Sequence, residues 1–118
     1  QRLWNDVKSM VERRIREGNT QAETKAEGAK FRLVKVTEKS IRVKRERSKK
    51  DEYIQKADFI DIWEALNGGE YASTGYKQSD LQEGNKRHSS AVSFALAAKL
   101  PYVRWKKVDR AWTLCLAD

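Results

Sequence analysis

His88 is the only histidine in the chain, and it opens the small set of side chains that could act on a substrate. It stands between Arg87 and the pair Ser89-Ser90. A histidine base needs an orienting partner within hydrogen-bond reach, and none is recognisable beside it, so His88 reads as a contact residue near a helix start. Asp51-Glu52 and Asp58 with Asp61 are paired carboxylates of the kind used for proton transfer. They stand, however, where a solvated turn and the first turn of a helix would call for them. Gly68-Gly69 lacks the Lys-Ser/Thr that a phosphate loop requires. Cys115 is the sole cysteine, which leaves neither a disulfide framework nor a metal-ligand set. The residue types therefore predict no catalytic residues, no metal and no cofactor. A nuclease assembled from dispersed acidic residues and lysines is the enzyme alternative.

What the chain has in quantity is positive charge. Its net charge is +8 over 118 residues, with 39% hydrophobic and 36% charged residues. That composition fits one domain with a modest core and a heavily charged surface. The charge comes in blocks: residues 30–50 hold ten Lys/Arg against two Glu, residues 84–110 hold seven against one Asp, and residues 58–83 hold one against six Asp/Glu. Blocks of one sign make a directional field suited to a polyanion. No apolar run approaches the length of a membrane span, and no segment resembles a secretion signal. A cytoplasmic or nuclear setting, not secretion, is expected, with no membrane partner. The chain begins at Gln1, as an excised piece of a longer protein would.

These charges must be carried by elements. Leu3, Trp4, Val7, Met10, Val11 and Ile15 recur at helical spacing, and Gly18 follows as a stop. Their stripe must pack either in the core or, through Leu3, Val7, Met10, Val11 and Ile15, on a second copy or a parent protein. Residues 19–29 are polar and aperiodic, and read as a linker. Residues 31–36 and 41–45 alternate as strands, with Ile41, Val43 and Arg45 on one side and Arg42, Lys44 and Glu46 on the other. They predict a basic β-hairpin over residues 30–50, which either lies along a phosphate backbone or uses its cations to keep an edge unpaired. Residues 48–52 read as its solvated exit. Phe59, Ile62, Trp63 and Leu66 predict a helix over residues 58–66 closed by Asn67-Gly68-Gly69, and residues 70–73 suit one short strand. A turn or two of helix follows at residues 79–83. Residues 86–99 then predict a helix that Pro101 stops, and residues 102–105 and 111–116 a two-stranded ribbon. The organisation expected is an N-terminal helix and linker (1–29), a basic hairpin (30–50) and a C-terminal unit (51–118) that forms one body with the hairpin.

The order helix, short strand, helix, tight turn, helix, hairpin over residues 58–116 resembles the winged helix-turn-helix superfamily. Leu66, Leu81, Val92, Leu96, Trp105 and Trp112 would form its shared core. The resemblance implies an α+β fold with three short helices and a C-terminal wing. It also implies that the third helix and the wing meet duplex DNA. By position, Lys86, Arg87, His88, Ser89, Ser90 and Ser93 would face DNA, and Arg104, Lys106, Lys107 and Arg110 would be wing contacts. A weaker likeness, from Phe59-Ile60-Asp61-Ile62-Trp63 to Leu100-Pro101-Tyr102-Val103, is to small C-terminal modules of phage and defence proteins.

One feature departs from the superfamily pattern. After Ser90 the third helix is apolar almost all round, so its first turn alone is equipped for DNA. That favours anchoring to the backbone, or a helix whose far side is covered. The expected function is a nucleic-acid-binding module, duplex DNA foremost, that uses Arg42, Lys44, Arg45 and Arg47 of the hairpin with the third-helix start and the wing. The alternative is a protein-interaction or accessory domain of a larger nucleic-acid-processing protein, with Phe94 and Ala97 or the N-terminal stripe as the contact.

Overall fold

A computed structural model describes residues 2–71, 74–85 and 90–117. The fold is α+β, with two antiparallel sheets and four helices among the described residues.

Helix α1 (Arg2–Arg16) buries Leu3, Trp4, Val7, Met10 and Val11 along one stripe. The stripe is used up inside the chain: Leu3, Val7 and Val11 keep no exposed surface for a second copy. Gly18, at φ +73°, ends the helix in a Schellman arrangement. Its N–H donates to the Ile15 carbonyl (3.2 Å) and that of Asn19 to Arg14 (2.9 Å), which satisfies two of the last free carbonyls.

The predicted hairpin is the middle of a larger sheet. Strands β1 (Gln21–Glu23), β2 (Lys30–Val36), β3 (Ser40–Arg45) and β4 (Asp51–Gln55) form a four-stranded meander in sequence order. Two segments are therefore corrected. Part of the expected 19–29 linker is β1, whose Ala22 is buried opposite Phe31. Asp51 and Glu52, expected in a turn, begin β4, where Asp51 stands opposite Lys44. Cross-strand charge pairing accounts for such polar residues in a ladder. Phe31, Leu33, Ile41, Val43 and Ile54 are buried and make the inner face, against which α1 packs.

β4 runs directly into helix α2 (Lys56–Asn67), two residues earlier than its apolar spacing predicts. Phe59 lies 5.7 Å, centroid to centroid, from Trp4 of α1. After α2 come β5 (Tyr76–Lys77), α3 (Gln78–Asn85), α4 (Ser90–Ala97) and the ribbon β6 (Val103–Val108) and β7 (Ala111–Leu116). The short strand thus lies after the predicted 70–73, of which residues 72 and 73 fall outside the described residues. β5 pairs with β7, so the second sheet has the order β5-β7-β6. Asp109 (φ +49°) and Arg110 (φ +70°) close the ribbon in a two-residue turn whose handedness suits the strand twist.

α4 is the hub. Ser90 and every residue from Val92 to Ala97 are buried, as a helix apolar on all sides requires. It packs on α1, α2, α3 and β1. The Ser93 hydroxyl donates to the Asp58 carboxylate (2.9 Å) on α2, with both residues fully buried. One continuous cluster of apolar side chains joins α1, both sheets and α4.

Candidate nucleic-acid interface

Sheet register sorts the basic residues of the meander. On the face away from α1, Arg32 stands opposite Lys44, which stands opposite Asp51. A second row sets Lys35 opposite Arg42 and Arg42 opposite Tyr53. A bulge between Leu33 and Lys35 keeps Lys35 on this outer face. Arg42 is half-buried, and its Nε is buried with no hydrogen-bond acceptor. Arg45 is different: it stands opposite Phe31, on the core side. There its guanidinium grips Glu52, Nε to Oε1 at 2.8 Å and Nη2 to Oε2 at 3.4 Å. The pair leaves Arg45 neutralised by its own chain. Arg47 is exposed in the β3–β4 turn.

Residues 86–89 lie outside the described residues, so Lys86, Arg87, His88 and Ser89 have no place in this account. Ser90, expected at the contact surface, is 1% exposed at the start of α4. Ser93 is likewise buried and held by Asp58. The described part of α4 is a core helix with no outward face, which is why neither serine reaches a ligand.

The ribbon also splits by register. Lys107 stands opposite Trp112 and Trp105 opposite Leu114, so these side chains share the face turned to α4. Arg104 and Lys106 alternate onto the other face, where Arg104 Nε donates to Cys115 Sγ at 3.4 Å. Arg110 is exposed at the turn.

Three depressions join the meander to the ribbon. A cleft of about 590 Å³ is lined by Arg32, Lys44, Lys49 and the Glu52-bound Arg45, with Gln21 and Glu46 at its wall. The Gln21 amide donates to Glu46 at 3.1 Å. Gln21 also lines the next depression, of about 300 Å³, with Glu23, Lys30 and Lys99. Glu23 and Lys99 in turn line a third, of about 310 Å³, with Lys25 and Trp105. Trp105 meets Trp112 edge to face at 6.3 Å. Over the Trp112 ring lie two ammonium groups, Lys25 Nζ at 4.5 Å and Lys107 Nζ at 5.3 Å from its centroid.

The shared residues set the three depressions side by side, as successive parts of one surface track. It starts on the outer face of the meander, passes the β1 edge and ends at the ribbon. Lys44, Arg32, Lys30, Lys99 and Lys25 follow along it, against Glu46 and Glu23, and Lys107 shares the Trp112 ring with Lys25. The Lys99 pKa is lowered, with Glu23 opposing. The lowering comes first from the partial burial of the ammonium, with Arg14 adding to it.

Lys44 and Lys107 were legible as candidates in the sequence, but Lys25, Lys30, Arg32 and Lys99 were not singled out. For Lys30 and Arg32 the signal existed, since they alternate with Phe31 and Leu33. For Lys25, in an aperiodic polar run, and Lys99, at a helix end, there was none. Among the described residues no cluster of His, Cys, Asp and Glu could hold a metal ion, and no helix is long and apolar enough to cross a membrane. No protein-family model, curated protein or solved structure matches this chain.

Proposed function

We propose that the chain is a nucleic-acid-binding module that holds the phosphate backbone of duplex DNA along the groove between meander and ribbon. The observation that carries this reading is the continuity of the groove. Cations from β2, β3, the β1–β2 turn and the turn after α4 line three neighbouring depressions that share Gln21, Glu23 and Lys99, although they come from distant parts of the sequence. Binding would release counterions from the polyanion, which makes affinity steeply dependent on salt.

The order α2-β5-α3-α4-β6-β7, with β5 beside β7, supports a winged helix-turn-helix reading of the second half. In that reading β6–β7 is the wing and α4 the third helix. Because the described α4 is enclosed, contact through wing and meander favours backbone anchoring over base reading by this helix. The apolar contacts of the protein-interaction alternative are taken up within the chain, since Leu3, Val7, Met10, Val11, Phe94 and Ala97 are buried, while its other form, the basic surface against an acidic partner, is decided by the choice of ligand.

A gel shift with duplex DNA, single-stranded DNA and RNA, run across a salt series, tests the proposal. It predicts a duplex shift at low salt that fades as salt rises. No duplex shift at low salt, or one indifferent to salt, would overturn it.

A further inference from the structure

Tyr53 is the one large apolar side chain among the described residues that stands mostly in solvent, at 55% exposure. A single exposed aromatic needs no explanation by itself. Its surroundings give it weight. It sits mid-strand on β4, an edge strand, where a charged residue would guard the edge better. Directly across the ladder is Arg42, with its unaccepted buried Nε, and beyond it Lys35. The next row along the same face, about 7 Å away at two residues of strand rise, holds Arg32, Lys44 and Asp51. An open sheet face thus offers a bare ring among four cations, Lys35, Arg42, Arg32 and Lys44, and one carboxylate.

We infer that this face is a second nucleic-acid site, adjoining the groove and sharing Lys44 with it, for a single strand with an unpaired base stacked on Tyr53 and its phosphates against Arg42 and Lys44. It extends the nucleic-acid reading from the groove to the neighbouring open face. Aromatic rings flanked by positive charge bind unpaired bases with little regard to sequence, because every base has a π face. In a duplex those faces are covered by neighbouring pairs, so a ring on a flat sheet selects the unpaired form. The Arg42 guanidinium, across the ladder from Tyr53, is a second planar group on which a base can rest. An acidic peptide would satisfy Arg42 and Lys44 equally but would have no use for the ring.

The test is fluorescence anisotropy with a labelled oligothymidine, an abasic strand of the same length, and a blunt duplex. Tyr53→Ala should weaken oligothymidine binding roughly 5- to 100-fold, the range for loss of one stacked base. It should leave abasic-strand and duplex binding unchanged, and Tyr53→Phe should bind as the parent does. Tyr53 is exposed, so the melting temperature should not move, and equal melting points exclude a folding effect. Unchanged oligothymidine binding in Tyr53→Ala would overturn the inference. So would an abasic strand bound as tightly as one with bases, or polyglutamate bound with the same dependence on Tyr53. Failure of the groove reading is seen separately, as duplex binding that is absent or insensitive to Lys30→Glu and Lys99→Glu.

Discussion

The Lys25 ammonium lies 4.5 Å from the centre of the Trp112 ring, so the β1–β2 turn is tied to the C-terminal ribbon. Lys107 of β6 lies over the same ring, at 5.3 Å, so a cation of the β1–β2 turn and one of the ribbon flank a single indole. A cation over an indole contributes about 0.5–1 kcal/mol at an exposed site. Lys25→Ala should therefore lower stability by no more than that, while reducing duplex affinity, because a groove cation is lost as well. Thermal melting and anisotropy on the same samples separate the two effects. Lys25→Arg should restore both.

Gly75 allows β5 to lie against β7. Its φ is +76°, and a β-carbon there would overlap the Thr113 side chain. Thr113 is buried, and its hydroxyl donates to the Lys106 carbonyl at 2.8 Å. Gly75→Ala combines a left-handed backbone with a steric clash, and should cost more than about 2 kcal/mol. Urea unfolding would measure it. An unchanged midpoint would contradict the β5–β7 pairing.

The Tyr102 hydroxyl donates to Asp6 at 2.6 Å, beneath the Arg2 guanidinium 4.3 Å from its ring centre. Burial, then the bond to Asp6, push its pKa well above the ordinary tyrosine value. A group whose pKa is raised on folding contributes stability below its unfolded value, about 10, and loses it as pH climbs through the raised value. Tyr102→Phe should be less stable by roughly 1 kcal/mol at neutral pH and should lose less stability on alkaline titration. Denaturant midpoints across alkaline pH provide the check.

Lys99 gives a pH signature for binding. Its pKa is lowered in the free protein, and a polyanion in the groove would raise it. Binding then takes up protons, and duplex affinity should fall as pH rises through the lowered value toward the usual lysine range, near 10.4. Lys99→Arg, charged throughout, should flatten that decline. An identical pH profile for the two proteins would remove Lys99 from the interface.

Much of this architecture was legible because its periods are long. The α1 stripe, the apolar side of α2 and the alternating ribbon could all be read from spacing. β1 and β4 could not. One is three residues of mixed character, and the other begins with Asp51-Glu52, whose strand character depends on Lys44 and Arg45 in the neighbouring strand. The same limit hid half of the groove. Period two placed Lys44 outward and Arg45 inward, but the salt bridge that occupies Arg45 is a tertiary fact. Lys25 and Lys99 line one depression only because β1 pairs with β2 and packs on α4. The core role of α4 was readable in its all-round apolar character. What it means for Ser90 and Ser93 required their neighbours.

The central claim is that one groove takes the phosphate backbone, and the salt dependence of duplex affinity tests it most directly. The log of affinity should fall linearly with the log of salt concentration, by close to one unit of slope for each phosphate contacted. Lys30→Glu and Lys99→Glu should each flatten that slope by about one unit. Lys8→Glu, in a depression beside Glu12 and Arg16 on α1, should leave it unchanged. Equal slopes for all four proteins, or no duplex binding at low salt, would contradict the account.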